Sequence, residues 1–184
     1  MSMSESADRY RRLGDAFVAK VAQVPSARWD TASPCEGWTT RDVVTHIVEV
    51  HGIFFGLVGR TVERTISVVD DPVGAVREMQ TVMQADLDDP GRAQAEFDGF
   101  FGRSTFEAAV DRFVCFDLVV HGWDLARSAG LDEAISPIEI VRVRRDAESF
   151  GDALHQSGVC GPAIEVGADT DDQTKLLALL GRRA

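Results

Sequence analysis

Four stretches of helical apolar periodicity, held apart by breaks at Pro25, Pro90 and Gly130, constrain this chain more than any other feature. A helix with an apolar stripe must bury that stripe, and several such helices bury theirs against one another as a bundle. The first stretch runs from Ser4 to about Val24. Tyr10, Leu13, Phe17 and Val21 recur there at helical spacing, with Ala16 and Val24 beside the stripe. A turn-rich segment, PSARWDTASPCEGW, follows. Thr39 is placed to cap the second helix, with Asp42 three residues on as in a capping box, and the pattern continues to about Arg64. The third opens near Asp71-Pro72, with Pro at the first helical position, and stops before Pro90-Gly91. Residues 92–103 read either as a short strand-like connection or as a loop. The fourth covers Ser104 to Ala129 and stops at Gly130. Ser136-Pro137 opens a fifth, to about Gln156, and the tail adds a short extended piece and a last helix. The pattern predicts an all-α chain, folded as one domain over residues 1–184, a length that supports a sizeable core.

Charge narrows the partners. The net charge is −11, and the acidic residues are spread along the chain. Such a surface repels phosphate backbones, so nucleic acid is not an expected partner. No apolar run approaches the ~18 residues of a membrane span. The N-terminus lacks an apolar signal core, so the expected location is the cytoplasm. The three cysteines, Cys35, Cys115 and Cys160, are odd in number and form no CxxC, which argues against a disulfide framework and a Cys-based zinc site. Phe97 to Gly102, FDGFFG, puts three aromatics on an expected loop and offers a contact for a homodimer.

The chemistry concentrates in FDLVVHGWDLARSAG, Phe116 to Gly130. With Asp117 at zero and about 100° per residue, His121 falls near +40° and Asp124 near −20°. The three share one stripe, bordered by Val114, Leu118 and Leu125. A buried carboxylate must be paired, protonated or bound to a metal. An Asp and a His at i, i+4 form a bidentate frame for a divalent ion, and also suit a plain Asp–His hydrogen bond. On the second helix, Val43, Val50, Ile53, Phe54 and Leu57 fall within about 80° of His46, which places that imidazole in the middle of the apolar face. Packing apolar faces together would bring His46 to Asp117 and His121. Two imidazoles and a carboxylate are a common open shell for zinc or a similar ion. His51 lies about 140° from His46 and is excluded from the same site. His155 has no comparable context and reads as a surface residue.

Three segments together carry a resemblance: SPCEGWTTRDVVTHIVEV from Ser33 to Val50, FDLVVHGWDLARSAG, and the ending DDQTKLLALLGRR from Asp171 to Arg183. Their order and spacing resemble the DinB-like metal-binding bundles, in particular the branch related to the N-terminal domain of mycothiol-dependent maleylpyruvate isomerase. The resemblance implies an up-down-down-up four-helix bundle with short additional helices. It also implies a metal near one end of the bundle, held by His46, Asp117 and His121. The isomerase uses Glu where this chain has Asp117, one methylene shorter, which brings an ion closer to the helix or holds it through water. The isomerase also carries a second, C-terminal domain that this chain is expected to lack.

The activity implied is that of a thiol-dependent transferase or isomerase. Zinc is the first expectation for the divalent metal, nickel another, with mycothiol or a similar low-molecular-weight thiol such as bacillithiol as cosubstrate and a small molecule as substrate. Metal-dependent hydrolysis and non-enzymatic metal or ligand binding by a dimer are the alternatives. Asp124 either orients a metal ligand or ends a charged stripe. Trp38 and Trp123 either pack at the bundle end or line a pocket. Glu49, about 60° from His46, is either a general base or part of a solvated face. Arg127 and Arg41 are either substrate-binding cations or partners of surface acids. Cys35 either packs in its turn or approaches the metal.

Overall fold

A computed structural model describes residues 4–99, 101–155 and 160–184 of the chain. Four helices form the bundle: α1 (Glu5–Val21), α2 (Thr40–Leu57), α3 (Pro72–Asp88) and, after the short α4 (Pro90–Ala93) and α5 (Phe106–Ala109), α6 (Cys115–Ala129). α1 packs between α3 and α6, and α2 packs against the same two, so α1 and α2 face each other across a diagonal. Two more helices, α7 (Pro137–Phe150) and α8 (Asp172–Leu179), pack on each other, with α7 against the outside of α6. The fold is an all-α DinB-like bundle. Among the described residues, no helix is long and apolar enough to cross a membrane.

Local chemistry accounts for most helix ends. Ser4 caps α1 by accepting from the Ala7 N–H. Thr39 and Asp42 form the expected capping box: the Asp42 N–H donates to Thr39 Oγ1 at 3.3 Å, and the Thr39 N–H to Asp42 Oδ2 at 2.8 Å. Gly130, at φ 73°, ends α6 in the left-handed region. Two boundaries lie short of expectation. α1 stops at Val21 rather than Val24, and α2 at Leu57 rather than Arg64. The second follows from Gly59, whose φ of 71° takes the chain out of the helix. α7 ends at Phe150, before Gly151 at φ 54°, and a 3-10 turn (Gly151–His155) follows; Gln156 lies outside the described residues.

Residues 92–103 resolve towards the strand-like alternative. β1 (Glu96–Gly99) pairs antiparallel with β2 (Gly102–Thr105), with Phe97 opposite Ser104. Phe97, Asp98, Gly99 and Gly102 of the aromatic segment therefore lie in paired strands rather than in a loop. Phe97 is half-buried, and Phe100 lies outside the described residues. Phe101 is exposed, stacks on Phe113 and lies tilted against Phe150, with ring centroids 5.6 Å apart in each case.

The bundle core is built from Phe17, Ile47, Phe55, Met79, Met83 and Leu125, each at most 2% exposed. Burying a side chain of this kind contributes about 1.5–3 kcal/mol. A second apolar cluster, including Phe116, Val120, Val143 and Leu176, lies on the other side of α6. α6 is therefore covered on both sides. That explains how a helix so apolar can carry Asp124 and His121 and keep both buried.

Two polar side chains buried between the helices, Arg9 and His51, are paired. Arg9, wholly buried on α1, donates to Glu139 Oε2 of α7 at 2.7 Å and to the Asp111 carbonyl at 2.8 Å. Asp111 sits in a π-helical turn, Val110–Val114, that joins α5 to α6. His51 joins α1 to α2: Tyr10 Oη lies 2.7 Å from its Nε2, and its Nδ1 lies 2.6 Å from the Ile47 carbonyl. The reading that His46 occupies the middle of the apolar face is thereby corrected. The buried face of α2 is centred on Val44, Ile47, Val48, His51 and Phe55, while Ile53 is 61% exposed. The apolar residues of α2 spread round most of the helix, so periodicity alone did not locate its inner face. His155 is exposed, as expected.

Candidate metal centre

The segment before α2 builds the roof of the site. Ala32 pairs with Thr39 in an isolated bridge, and Gly37 turns at φ 77°. The Ser33 N–H donates to the Trp38 carbonyl at 2.8 Å. This tight loop holds Cys35 and Trp38 over the end of the bundle where α2 and α6 lie side by side. Trp38 packs against both imidazoles, with ring centroids 4.9 Å from His46 and 5.8 Å from His121, nearly parallel to the latter.

His46 from α2 meets Asp117 and His121 from α6. His46 Nε2 lies 3.6 Å from Asp117 Oδ2, and the two imidazole centroids are 4.8 Å apart. One ligand atom from each of the three residues lies within 4.8 Å of the others. Bonds of about 2.0–2.2 Å to a shared ion put tetrahedral ligand atoms roughly 3.4 Å apart, so small side-chain rotations close the set. The side chains of His46 and Asp117 are 31% and 25% exposed, which leaves one side open to a ligand. His121 is buried.

Below this trio lies a buried polar layer. His121 Nδ1 is 2.9 Å from Asp124 Oδ2. Asp124 is wholly buried and takes two further bonds at 2.8 Å, from Arg182 Nε to Oδ1 and from Arg182 Nη2 to Oδ2. Burial pushes the Asp124 carboxyl up, but the bonds from His121 and Arg182 and the Arg182 charge outweigh it and hold the pKa at about 2. A neutral His121 that donates Nδ1–H to the ionised Asp124 keeps its Nε2 lone pair for a ligand. Carboxylate-oriented histidine is the usual arrangement behind a metal ligand.

A second trio, Cys35, His121 and Asp124, also has ligand atoms within 4.8 Å of one another. Its chemistry does not suit a cation. Both Asp124 oxygens are taken by Arg182 and His121, and the Cys35 thiol donates to Asp124 at 3.3 Å. Burial and the nearby Asp124 charge push the thiol up to about 12, against the pull of Arg182, so Cys35 keeps its proton. It packs against the polar layer.

Residues 10–126 match the mycothiol maleylpyruvate isomerase N-terminal domain family. The chain belongs to this family. It is also similar to uncharacterized proteins from two strains of Mycobacterium tuberculosis, CDC 1551 / Oshkosh and ATCC 25618 / H37Rv. Each is 28% identical over 131 residues, which cover 70% of this chain and 69% of the relative. No solved structure matches.

The family match includes His46, Asp117, His121 and Asp124 but ends before Arg182. Sequence reasoning missed Arg182. The signal lay in LLGRR. Gly181, at φ 76°, closes α8 with the Arg182 N–H bonded to the Leu177 carbonyl at 2.8 Å and its own N–H to the Ala178 carbonyl at 3.0 Å. This Schellman-type turn redirects the chain so that Arg182 points back into the bundle.

The remaining candidates separate. Asp124 orients His121. Trp38 covers the imidazoles. Trp123 is 1% exposed and belongs to the packed interior. Glu49 is exposed on α2. Arg127 pairs with Glu133 at 2.9 Å, and Arg41 lies over Trp29 at 5.2 Å with Asp30 at 4.0 Å. Arg41 is thus engaged at the surface.

Proposed function

We propose that this chain is a divalent-metal-dependent enzyme of the maleylpyruvate isomerase type, a thiol-dependent transferase or isomerase. His46, Asp117 and His121 hold the ion, zinc in the first instance. The observation that carries this reading is the convergence of those three side chains from two helices, with His121 Nδ1 committed to Asp124. Family membership supports it. Such an ion lowers the pKa of a coordinated thiol or water at neutral pH. His46 and His121 serve as neutral donors, and Asp117 offsets part of the cation's charge. Asp124 and Arg182 keep the His121 ring fixed, so that little ordering remains to be done when an ion binds. Trp38 shields the imidazoles from water on one side. The cosubstrate is a low-molecular-weight thiol, mycothiol or bacillithiol, and the second substrate a small electrophile.

The test is calorimetric titration of zinc-loaded protein with mycothiol and with bacillithiol, followed by a conjugation assay with monochlorobimane. Saturable binding of either thiol, lost in His46→Ala, is expected. No binding of either thiol to fully loaded protein would overturn the thiol reading and favour metal-dependent hydrolysis.

A further inference from the structure

On the far side of the Arg182 layer a cleft of about 460 Å³ opens to solvent. Arg28, Arg127 and Arg183 line it, together with the hydroxyl-bearing residues Thr31, Ser33 and Ser128. Among the described residues no Asp or Glu lines it, although Glu133 pairs with Arg127. The chain as a whole has 30 acidic residues to 19 Lys and Arg, so this concentration reverses the charge of the rest of the surface. A concave wall of one sign concentrates the field and draws in the opposite ion.

The three guanidinium groups differ in what holds them. Arg127 is fixed, paired with Glu133 through one nitrogen and lying over the Trp123 ring at 5.8 Å. Its other N–H groups remain for a ligand. Arg28 and Arg183 are exposed and have no ion pair among the described residues. Arg28 and Arg183 thus leave their guanidinium donors on the cleft wall available to an anion. Arg presents its donors as a planar fork suited to carboxylate and phosphate oxygens.

We propose that this cleft is an anion-binding site for the multiply charged end of a small organic molecule, one bearing two or more carboxylate or phosphate groups. The site stands independently of the metal. Ser128 lies seven residues beyond His121 on the same helix, or about 10 Å along its axis. The buried Asp124–Arg182 pair lies between the two, so the cleft and the metal trio are separate sites.

The experiment titrates the full chain with citrate and, separately, with inorganic phosphate by calorimetry at fixed ionic strength, with acetate as the singly charged control. One-to-one binding of citrate or phosphate with a Kd of about 1 mM or tighter is expected, and acetate should not saturate. Citrate alone would identify a carboxylate site, phosphate alone a phosphate site. The Arg28→Gln/Arg183→Gln double variant should bind roughly tenfold more weakly or worse, with its melting temperature and zinc stoichiometry unchanged. Absence of saturation by both anions, or equal affinity in the folded double variant, would overturn the proposal. The titrations use metal-free protein, and zinc stoichiometry, read on separate anion-free samples of each variant, reports on the metal centre.

Discussion

Replacing Arg182 with Met removes both 2.8 Å bonds to Asp124 and the charge that faces it, while leaving the length of the side chain. Asp124 is wholly buried, so the remaining carboxylate keeps only His121 Nδ1 and the Cys35 thiol as partners. Stripping one partner from a buried ion pair costs about 3–5 kcal/mol, because the other charge stays out of water. The two surviving donors put this case near the lower figure, about 3 kcal/mol. For a chain of this size each kcal/mol moves the melting temperature by about 2–4 °C, so Arg182→Met should melt roughly 6–12 °C lower. The companion variant separates charge from packing. Asp124→Asn in the Arg182→Met background removes the stranded charge and keeps an acceptor for His121. The double variant should therefore be more stable than Arg182→Met alone. Thermal melts of metal-free protein at pH 7, followed by circular dichroism, read both. A shift of less than about 2 °C in Arg182→Met, or a double variant no better than the single, would refute the claim that Asp124 is a buried charge held by Arg182.

Three further outcomes follow from the same physics. Burial depresses His51 from 6.5 to about 4, partly offset by its bond to the Ile47 carbonyl, so the unfolded chain takes up a proton that the folded chain refuses. That contribution is complete above pH 6.5 and is lost as pH falls towards 4. Denaturant titrations should show about 3 kcal/mol of stability lost across that window, at about 1.4 kcal/mol per unit, and a flatter profile in His51→Phe. Gly181→Ala should destabilise by roughly 1–3 kcal/mol, since φ is 76° and a Cβ would lie 2.7 Å from the Gly161 carbonyl carbon; an unchanged melt would count against the turn that aims Arg182. Cys35 should react slowly with iodoacetamide at pH 8 because its thiol keeps its proton, and labelling as fast as a free thiol would contradict the packing described.

The fold was legible because its signals are local. Thr39 with Asp42, Pro72 at a helix start and Gly130 at a helix end act within one turn of chain. The inner face of α2 was not legible. Ile53 and Leu57 are apolar and exposed, while His51 is polar and buried, so the sequence stripe points away from the core. Tyr10, on another helix, supplies the partner that makes burying His51 tolerable, and that contact has no local signature in the sequence of α2. The i, i+4 spacing of Asp117 and His121 was visible on one helix, and so was the position of Asp124. That Asp124 faces a guanidinium 58 residues away in sequence was not, because such a bond has no local signature. The same holds for the Arg28 and Arg183 cleft, whose walls come from opposite ends of the chain.

If His46, Asp117 and His121 bind one divalent ion, the metal content of protein purified without a histidine tag reports it. His46→Ala is the cleaner variant, because His46 is partly exposed, whereas His121 also serves the buried Asp124. After incubation with zinc and desalting, the unmodified chain should retain about one ion, Cys35→Ala should retain the same, and His46→Ala and Asp117→Ala should retain none while keeping their helical spectrum. Retention by His46→Ala, or no retention by the unmodified chain, would rule out an ion held by these three side chains.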